Sequence, residues 1–130
     1  MALNKLLAVA AVLEAGTGVM LMIGPTLLAQ LLLGEVVSGA GIALGRVAGF
    51  ALLSLGLACW PSVDSAGTNN LALCALITYN LLTTFYLAFL GFAGQLTGSL
   101  LWPAVALHAA LAFLLARGYC GVVGAQRVKQ

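Results

Sequence analysis

Charged residues are scarce in this chain. Among its 130 residues, five are Lys or Arg, three are Asp or Glu, and one is His. Charged residues make up 6% of the chain, against roughly 25% in soluble globular domains. So few charges cannot cover the surface of a water-soluble domain of this size, and no run of Lys or Arg indicates a nucleic-acid partner. The scarcity excludes a soluble fold and predicts that the lipid bilayer is the main solvent.

Cysteine and histidine are also too few to indicate a metal centre. The three cysteines, Cys59, Cys74 and Cys120, form no C-x-x-C pair, and His108 is the single histidine. Zinc and redox motifs need several such residues at close spacing. We therefore predict free thiols, no metal site and no set of catalytic residues. No motif names a reaction, and the sequence leaves any cofactor unknown.

Long apolar runs take the place of charge. Hydrophobic residues make up 63% of the chain, and about 20 apolar residues cross the hydrocarbon core of a bilayer. Because an isolated strand would leave its backbone unpaired in lipid, each run should be an α-helix. We predict an all-α polytopic membrane protein, a four-transmembrane-helix bundle that forms a single domain over residues 1–130. The predicted spans are 6–23, 41–60, 70–92 and 100–116.

A shorter apolar run lies between the first two spans. Residues 27–33 are rich in leucine but too few to cross a bilayer. We predict a short interfacial helix here, ended by Gly34 and Glu35. The alternative is an apolar loop packed over the end of the bundle. Trp60 and Trp102 fall near the ends of predicted spans, where tryptophan favours the headgroup layer.

The few cations are placed asymmetrically along the chain. Lys5 precedes the first span, and Arg117, Arg127 and Lys129 follow the fourth, whereas the three connecting segments contain no Lys or Arg. Positive residues near the ends of spans favour the cytoplasmic side of a membrane. We therefore predict that both termini are cytoplasmic, which agrees with an even number of spans.

Each predicted span carries strongly polar residues near its middle. They are Glu14 in the first, Arg46 in the second, Tyr79 and Asn80 in the third, and His108 in the fourth. Such groups are costly in a bilayer and tend to face a partner or a water-filled cavity. At 1.5 Å of rise per residue they lie at similar depths, with roughly 6 Å of axial offset between Glu14 and Arg46. We predict one polar cluster, in which Glu14 and Arg46 form a buried ion pair.

Neighbouring residues extend this cluster. Thr84 lies one helical turn from Asn80 and shares its face. Gly41, Gly45 and Gly49 form a doubled G-x-x-x-G stripe, which favours close packing of helices in membranes. Two interpretations of the cluster remain open. Either it only fixes how the helices dock, or it also binds a ligand or transfers protons.

Short glycine-containing segments carry a resemblance to a known family. They are the run Leu-Gly-Arg-Val-Ala-Gly at residues 44–49, the run Leu-Gly-Leu-Ala-Cys-Trp at residues 55–60, and Glu-Ala-x-Thr-Gly at residues 14–18. In these segments and in length the chain resembles the DoxX-like group of small four-helix bacterial membrane proteins, including relatives with no assigned function. The resemblance implies a compact bundle in the bacterial inner membrane, in some members an accessory to redox or quinone-linked systems. No cofactor motif carries that role over to named residues.

Glu14 carries a second resemblance. Small multidrug resistance transporters also have four helices, a similar length and a membrane-embedded Glu in the first helix. Against this resemblance, Arg46 would neutralise the carboxylate that such transporters need free. The charges at the termini are also too one-sided for a dual-topology dimer.

The sequence leaves three classes of function open. The first is an inner-membrane accessory or binding protein that holds a small apolar, quinone-like or lipid-like ligand at the cluster. The second is a proton-coupled small transporter that uses Glu14 and His108. The third is a structural subunit of a larger membrane complex, and a homo-oligomer is compatible with all three. A cavity at mid-depth would favour the first class, and a filled centre would favour the third.

Overall fold

Five α-helices make up the described part of the chain. The computed structural model describes residues 3–61, 68–94 and 96–127, and these ranges contain no strand. The helices are α1 (Leu3–Ile23), α2 (Pro25–Leu33), α3 (Ala40–Ala58), α4 (Thr68–Phe92) and α5 (Leu101–Arg127). Within these ranges α1, α3, α4 and α5 are long and apolar enough to cross a membrane. The predicted four-helix membrane architecture is therefore confirmed, and the four predicted spans lie on these four helices.

Glycine and proline set the ends of the short helix α2. Gly24 separates it from α1, and Pro25 occupies its first turn, where the missing N–H costs no hydrogen bond. At its other end Gly34 adopts a left-handed conformation, with φ of 80°, and its N–H donates to the Gln30 carbonyl. The short helix predicted between the first two spans is therefore present.

Helices α1 and α3 pack antiparallel with their backbones in direct contact. A Cβ atom added to Gly18 would lie 2.6 Å from the Leu53 nitrogen, and one added to Gly56 would lie 2.6 Å from the Ala11 carbonyl oxygen. Gly49 of α3 lies directly against the Gly18 carbonyl of α1. Small residues thus permit the close approach that membrane helices use in place of a hydrophobic driving force.

The predicted glycine stripe divides between two partners. Gly49 packs against α1, whereas a Cβ on Gly45 would lie 2.8 Å from the Pro25 side chain of α2. Gly41 faces Val37, in the connection that precedes α3. The stripe therefore serves close packing, but only Gly49 serves the contact with the first membrane helix.

Helices α4 and α5 form the second antiparallel pair, and the two pairs meet in an apolar core at one end of the bundle. This core contains Leu7 and Ala10 of α1, Leu73 and Leu76 of α4, and Leu111 and Leu115 of α5, with Cys59 beside them. Leu3 also lies against Gly118. The start of α1 and the last turns of α5 are therefore at the same end of the molecule, as an even number of spans requires.

Helix α2 joins the two pairs at the opposite end. The N–H of Leu100 donates to the Leu31 carbonyl at 2.8 Å, and Gly98 lies directly against the backbone of Leu31 and Leu32. Leu32 and Leu33 complete a second, smaller core on α4 and α5. The short helix therefore packs into the bundle rather than only lying across it.

The outward faces of the long helices are apolar. Exposed side chains include Leu44 and Leu57 of α3 and Leu82, Phe85 and Phe89 of α4, which suits a surface in contact with lipid. Trp60 follows α3 at the end that holds the start of α1, and Trp102 lies in the first turn of α5 at the opposite end; both are exposed.

The three cysteines are free thiols. Cys59 is buried, and its Sγ lies 3.7 Å from the Ala72 carbonyl oxygen, whereas Cys74 and Cys120 are exposed. Lys129, which contributed to the predicted orientation, lies outside the described residues.

Candidate functional site

Three helices bring polar side chains together in the middle of the bundle. Glu14 of α1 and Asn80 of α4 are buried, with 2% and 0% of their surfaces exposed. His108 of α5 and Tyr79 of α4 are half-buried beside them. Each of these residues lies near the middle of its span. Because the three helices turn the faces that carry them towards one another, the side chains come into contact.

Asn80 is the central residue of this polar cluster. Its Nδ2 donates to the Leu76 carbonyl at 2.9 Å and lies 3.5 Å from Glu14 Oε1. Its Oδ1 lies 2.8 Å from His108 Nδ1. One amide therefore connects the carboxyl group of α1 to the imidazole of α5, through a side chain that has no net charge.

Tyr79 and Thr84 complete the cluster on α4. The Tyr79 ring meets the His108 ring edge-on, with centroids 5.8 Å apart and planes at 79°. This is a favourable arrangement for aromatic rings. The Thr84 hydroxyl donates to the Asn80 carbonyl at 2.7 Å, within its own helix. Thr84 thus supports the helix at Asn80 and does not reach Glu14 or His108.

The predicted ion pair between Glu14 and Arg46 is wrong. Arg46 is exposed, and no salt bridge joins it to Glu14. Gly56, not Arg46, is the residue of α3 that lies level with Ala11 and Ala15 on either side of Glu14. The ten residues from Arg46 to Gly56 correspond to about 15 Å along the helix, more than twice the predicted offset.

The error has two physical causes. The depths of Glu14 and Arg46 are predicted for each helix separately. The glycine contacts instead shift α3 along the axis of α1, so that the two residues lie at different depths. Depth also says nothing of rotation, and the face of α3 that carries Arg46 points outward. Since Arg46 lies about 9 Å from the start of α3, its long side chain can extend towards the membrane surface.

A cavity of about 510 Å³ lies beside the polar cluster. All five helices contribute to it, and most of its wall is apolar. Leu28 and Leu32 of α2, Leu52 of α3, Leu87 of α4 and Ala104 of α5 are representative of the wall. The cavity runs between the two helix pairs, in the half of the bundle that α2 partly fills.

Polar groups lie at one end of this cavity only. They are the side chains of Thr17, Tyr79, Thr83 and His108. Glu14 and Asn80 do not line the cavity and lie behind this polar end. The Tyr79 hydroxyl approaches both Glu14 and Thr83, and so the cavity is connected to the buried carboxyl group through side chains of α4.

His108 presents at the cavity one ring nitrogen without a hydrogen-bond partner among the described residues. Its Nδ1 is engaged by Asn80, and its Nε2 makes no hydrogen bond to the part of the chain that the structure describes. Every fully buried side-chain nitrogen and oxygen in that part has a hydrogen-bond partner. Because Nε2 has none there, it is not fully buried, and a bound molecule can reach it. An unused ring nitrogen at the end of an apolar cavity is a natural contact for a polar group of a bound molecule.

Part of the cavity wall follows from the sequence and part does not. Thr17 lies one turn beyond Glu14, and Thr83 lies one turn beyond Tyr79, so the helical faces of the predicted cluster already indicate both. The wall supplied by α2 had no such signal, because nothing in its leucine-rich run indicates that it packs inward.

Metal binding finds no support among the described residues. They contain no group of three or more His, Cys, Asp or Glu side chains close enough to hold an ion. His108 and Glu14 are the polar cluster's two residues of this kind, and Asn80 lies between them.

Comparison with known proteins gives no match, whether with family models, with characterised proteins or with solved structures. The two resemblances drawn from short segments of the sequence therefore stay predictions. The cavity and the polar cluster are the features of the structure that bear on function.

Proposed function

We propose that this chain is a small integral membrane protein that binds an apolar small molecule with a polar end. The observation that carries the proposal is the cavity, whose apolar wall ends at Tyr79 and His108 in the middle of the bundle. The apolar part of the molecule would lie against the leucines of α2, and its polar end would meet His108 Nε2.

The size and lining of the cavity support binding over a purely structural role. Pockets for small molecules usually measure roughly 300–1,000 Å³ and are mostly apolar with a few polar groups. The cavity, at about 510 Å³, lies in this range. A structural subunit has no need of such a space, which forfeits packing contacts unless a bound molecule or lipid fills it. A space of this size is therefore better explained by an occupant.

The position of Glu14 disfavours the alternative of a proton-coupled transporter. Such a mechanism requires its carboxyl group to exchange protons and cargo with a chamber, yet Glu14 is buried behind Asn80 and does not line the cavity. In our proposal Glu14 anchors Asn80, and Asn80 in turn orients His108.

The setting of the protein is also part of the proposal. Lys5 and Arg117 lie near the same end of the bundle, where Leu3 meets Gly118. By the positive-inside rule this end would be cytoplasmic. The DoxX-like resemblance supports the bacterial inner membrane and an accessory role in a redox or quinone-linked system, either alone or within a larger membrane complex.

A pair of variants on α5 tests the proposal. Ala104 lines the cavity, whereas Ala106 is exposed on the outer surface of the same helix. Ala104→Phe should fill part of the cavity and displace the bound molecule. Ala106→Phe adds the same ring towards lipid and should leave binding intact. The measurement is native mass spectrometry of protein extracted in mild detergent, together with analysis of small molecules that co-purify.

We expect wild-type protein and Ala106→Phe to carry the same small molecule and Ala104→Phe to lose it. Wild-type protein that carries no small molecule and takes up none from added lipid extract would contradict the proposal. Equal retention by both variants would show that the molecule binds elsewhere.

A further inference from the structure

We infer that the cavity selects molecules whose polar end donates a hydrogen bond, such as an alcohol or phenol on an apolar skeleton. An ether or ketone on the same skeleton can only accept and should bind more weakly. This inference rests on the proposed binding function and adds the chemical class of the ligand. It follows from the direction of each hydrogen bond at the polar end of the cavity.

The orientation of Asn80 is fixed by its own helix. The Leu76 carbonyl can only accept, so the group 2.9 Å from it must be the amide Nδ2. The Asn80 oxygen then points to His108 Nδ1, at 2.8 Å. The contact with Glu14 Oε1 agrees with this orientation, since a carboxylate oxygen also accepts.

Asn80 in turn fixes the tautomer of His108. An amide oxygen has no proton to give, so His108 Nδ1 must carry the proton in their hydrogen bond. In the neutral imidazole the other nitrogen, Nε2, is then an acceptor. Nε2 is the accessible nitrogen at the cavity, and it therefore offers a lone pair to whatever binds there.

Thr17 independently offers an acceptor from the opposite side. Its hydroxyl donates its single proton to the Leu13 carbonyl at 2.8 Å, within α1. Thr17 lines the cavity, and its oxygen, whose proton is used in this bond, can only accept from a bound molecule. Two side chains on different helices thus present acceptors to the same polar end.

The remaining two hydroxyls at this end belong to Tyr79 and Thr83. The Tyr79 hydroxyl approaches Glu14, which is an acceptor as a carboxylate, and Thr83 approaches Tyr79. At this end His108 Nε2 and the Thr17 oxygen are the two groups whose other hydrogen bonds leave them only as acceptors for a ligand. A molecule that brings an O–H group completes this arrangement, whereas one with only lone pairs leaves the acceptors unpaired.

A matched pair of probes tests the inference. The probes are 4-nonylphenol and its methyl ether, 4-nonylanisole, which share a skeleton and differ in one donor hydrogen. Binding to wild-type protein in lipid nanodiscs is measured by native mass spectrometry, with protein-free nanodiscs as the control for partition into lipid. We expect the phenol to bind about tenfold more tightly than the ether, the scale of one net hydrogen bond.

Two variants assign the selectivity to the cavity. Thr17→Val keeps the shape of the side chain and removes an acceptor, and should reduce the preference for the phenol severalfold. Ser54→Ala is the matched control, because the Ser54 hydroxyl also bonds within its own helix, to Phe50 at 2.8 Å, but does not line the cavity. The control should leave the preference unchanged.

The outcomes separate this inference from the proposed function. Saturable binding of both probes with equal affinity, or tighter binding of the ether, would overturn the inference and leave the binding function in place. Failure of both probes to bind saturably would overturn both. A preference that Thr17→Val leaves unchanged would remove Thr17 from the inferred acceptor pair.

Discussion

At the scale of single residues, Asn80 explains how a carboxyl group and an imidazole are held apart yet connected. Its amide donates on one side and accepts on the other, so it bonds to Leu76, Glu14 and His108. A charged side chain in its place would only donate or only accept hydrogen bonds. The sequence predicted that Glu14, Asn80 and His108 lie at one depth. It could not show the order of contacts, because that depends on helix rotation.

Two double-mutant cycles distinguish the observed contacts from the predicted ion pair. In Glu14→Gln with Arg46→Gln, the losses in unfolding free energy should add to within about 0.5 kcal/mol, as for residues that do not meet. In Glu14→Gln with Asn80→Leu, they should deviate from additivity by roughly 0.5–3 kcal/mol, because the residues share a hydrogen-bonded cluster. Reversible unfolding in mixed detergent provides the four stabilities of each cycle. Coupling to Arg46 without coupling to Asn80 would contradict the structure.

At the scale of helices, the α1–α3 contact is decided by backbone approach. Gly18, Gly49 and Gly56 leave no room for a side chain between the two helices. The predicted G-x-x-x-G stripe identified Gly49. It did not identify Gly56, which lies outside the four-residue spacing of the stripe. Spacing alone predicts which glycines share a face of a helix. Which of these glycines contact the partner helix depends on where the two helices cross.

A glycine pair tests this contact. Gly56→Ala places a methyl group 2.6 Å from the Ala11 carbonyl and should destabilise the fold by about 1–3 kcal/mol, as overpacking commonly does. Gly16→Ala on α1 is the control, because nothing lies within 4 Å of its added carbon. There the better helix propensity of alanine should stabilise by roughly 0.5–1 kcal/mol. Thermal unfolding in detergent compares the two, and equal effects would contradict the close contact.

At the scale of the whole molecule, the bundle is two helix pairs joined by an apolar core at one end and by α2 at the other. The number of spans and their limits could be predicted, because bilayer thickness fixes the length of an apolar helix. The cavity could not be predicted, since it is the space between pairs whose rotations and offsets the sequence does not specify. The same reason accounts for the error at Arg46.

The orientation of the whole molecule is open to direct measurement. In a cysteine-free variant, Asn4→Cys marks the end that holds the start of α1, and Ser99→Cys marks the opposite end; both positions are exposed. A membrane-impermeant maleimide applied to intact cells should label Ser99→Cys alone. After the cytoplasmic face is made accessible, Asn4→Cys should react as well. Labelling of Asn4→Cys in intact cells would contradict cytoplasmic termini.

The placement of the two tryptophans has an optical consequence. Trp60 and Trp102 are half-exposed, at 56% and 49%, and lie at opposite ends of the bundle. Replacing either one with phenylalanine leaves a single indole whose emission reports on one face of the membrane. Trp102 packs edge-on against Phe92 with ring centroids 5.1 Å apart, at the end of the bundle where α2 docks. In the variant that keeps Trp102, fluorescence therefore registers movements near the cavity, and the variant that keeps Trp60 provides the reference from the opposite end.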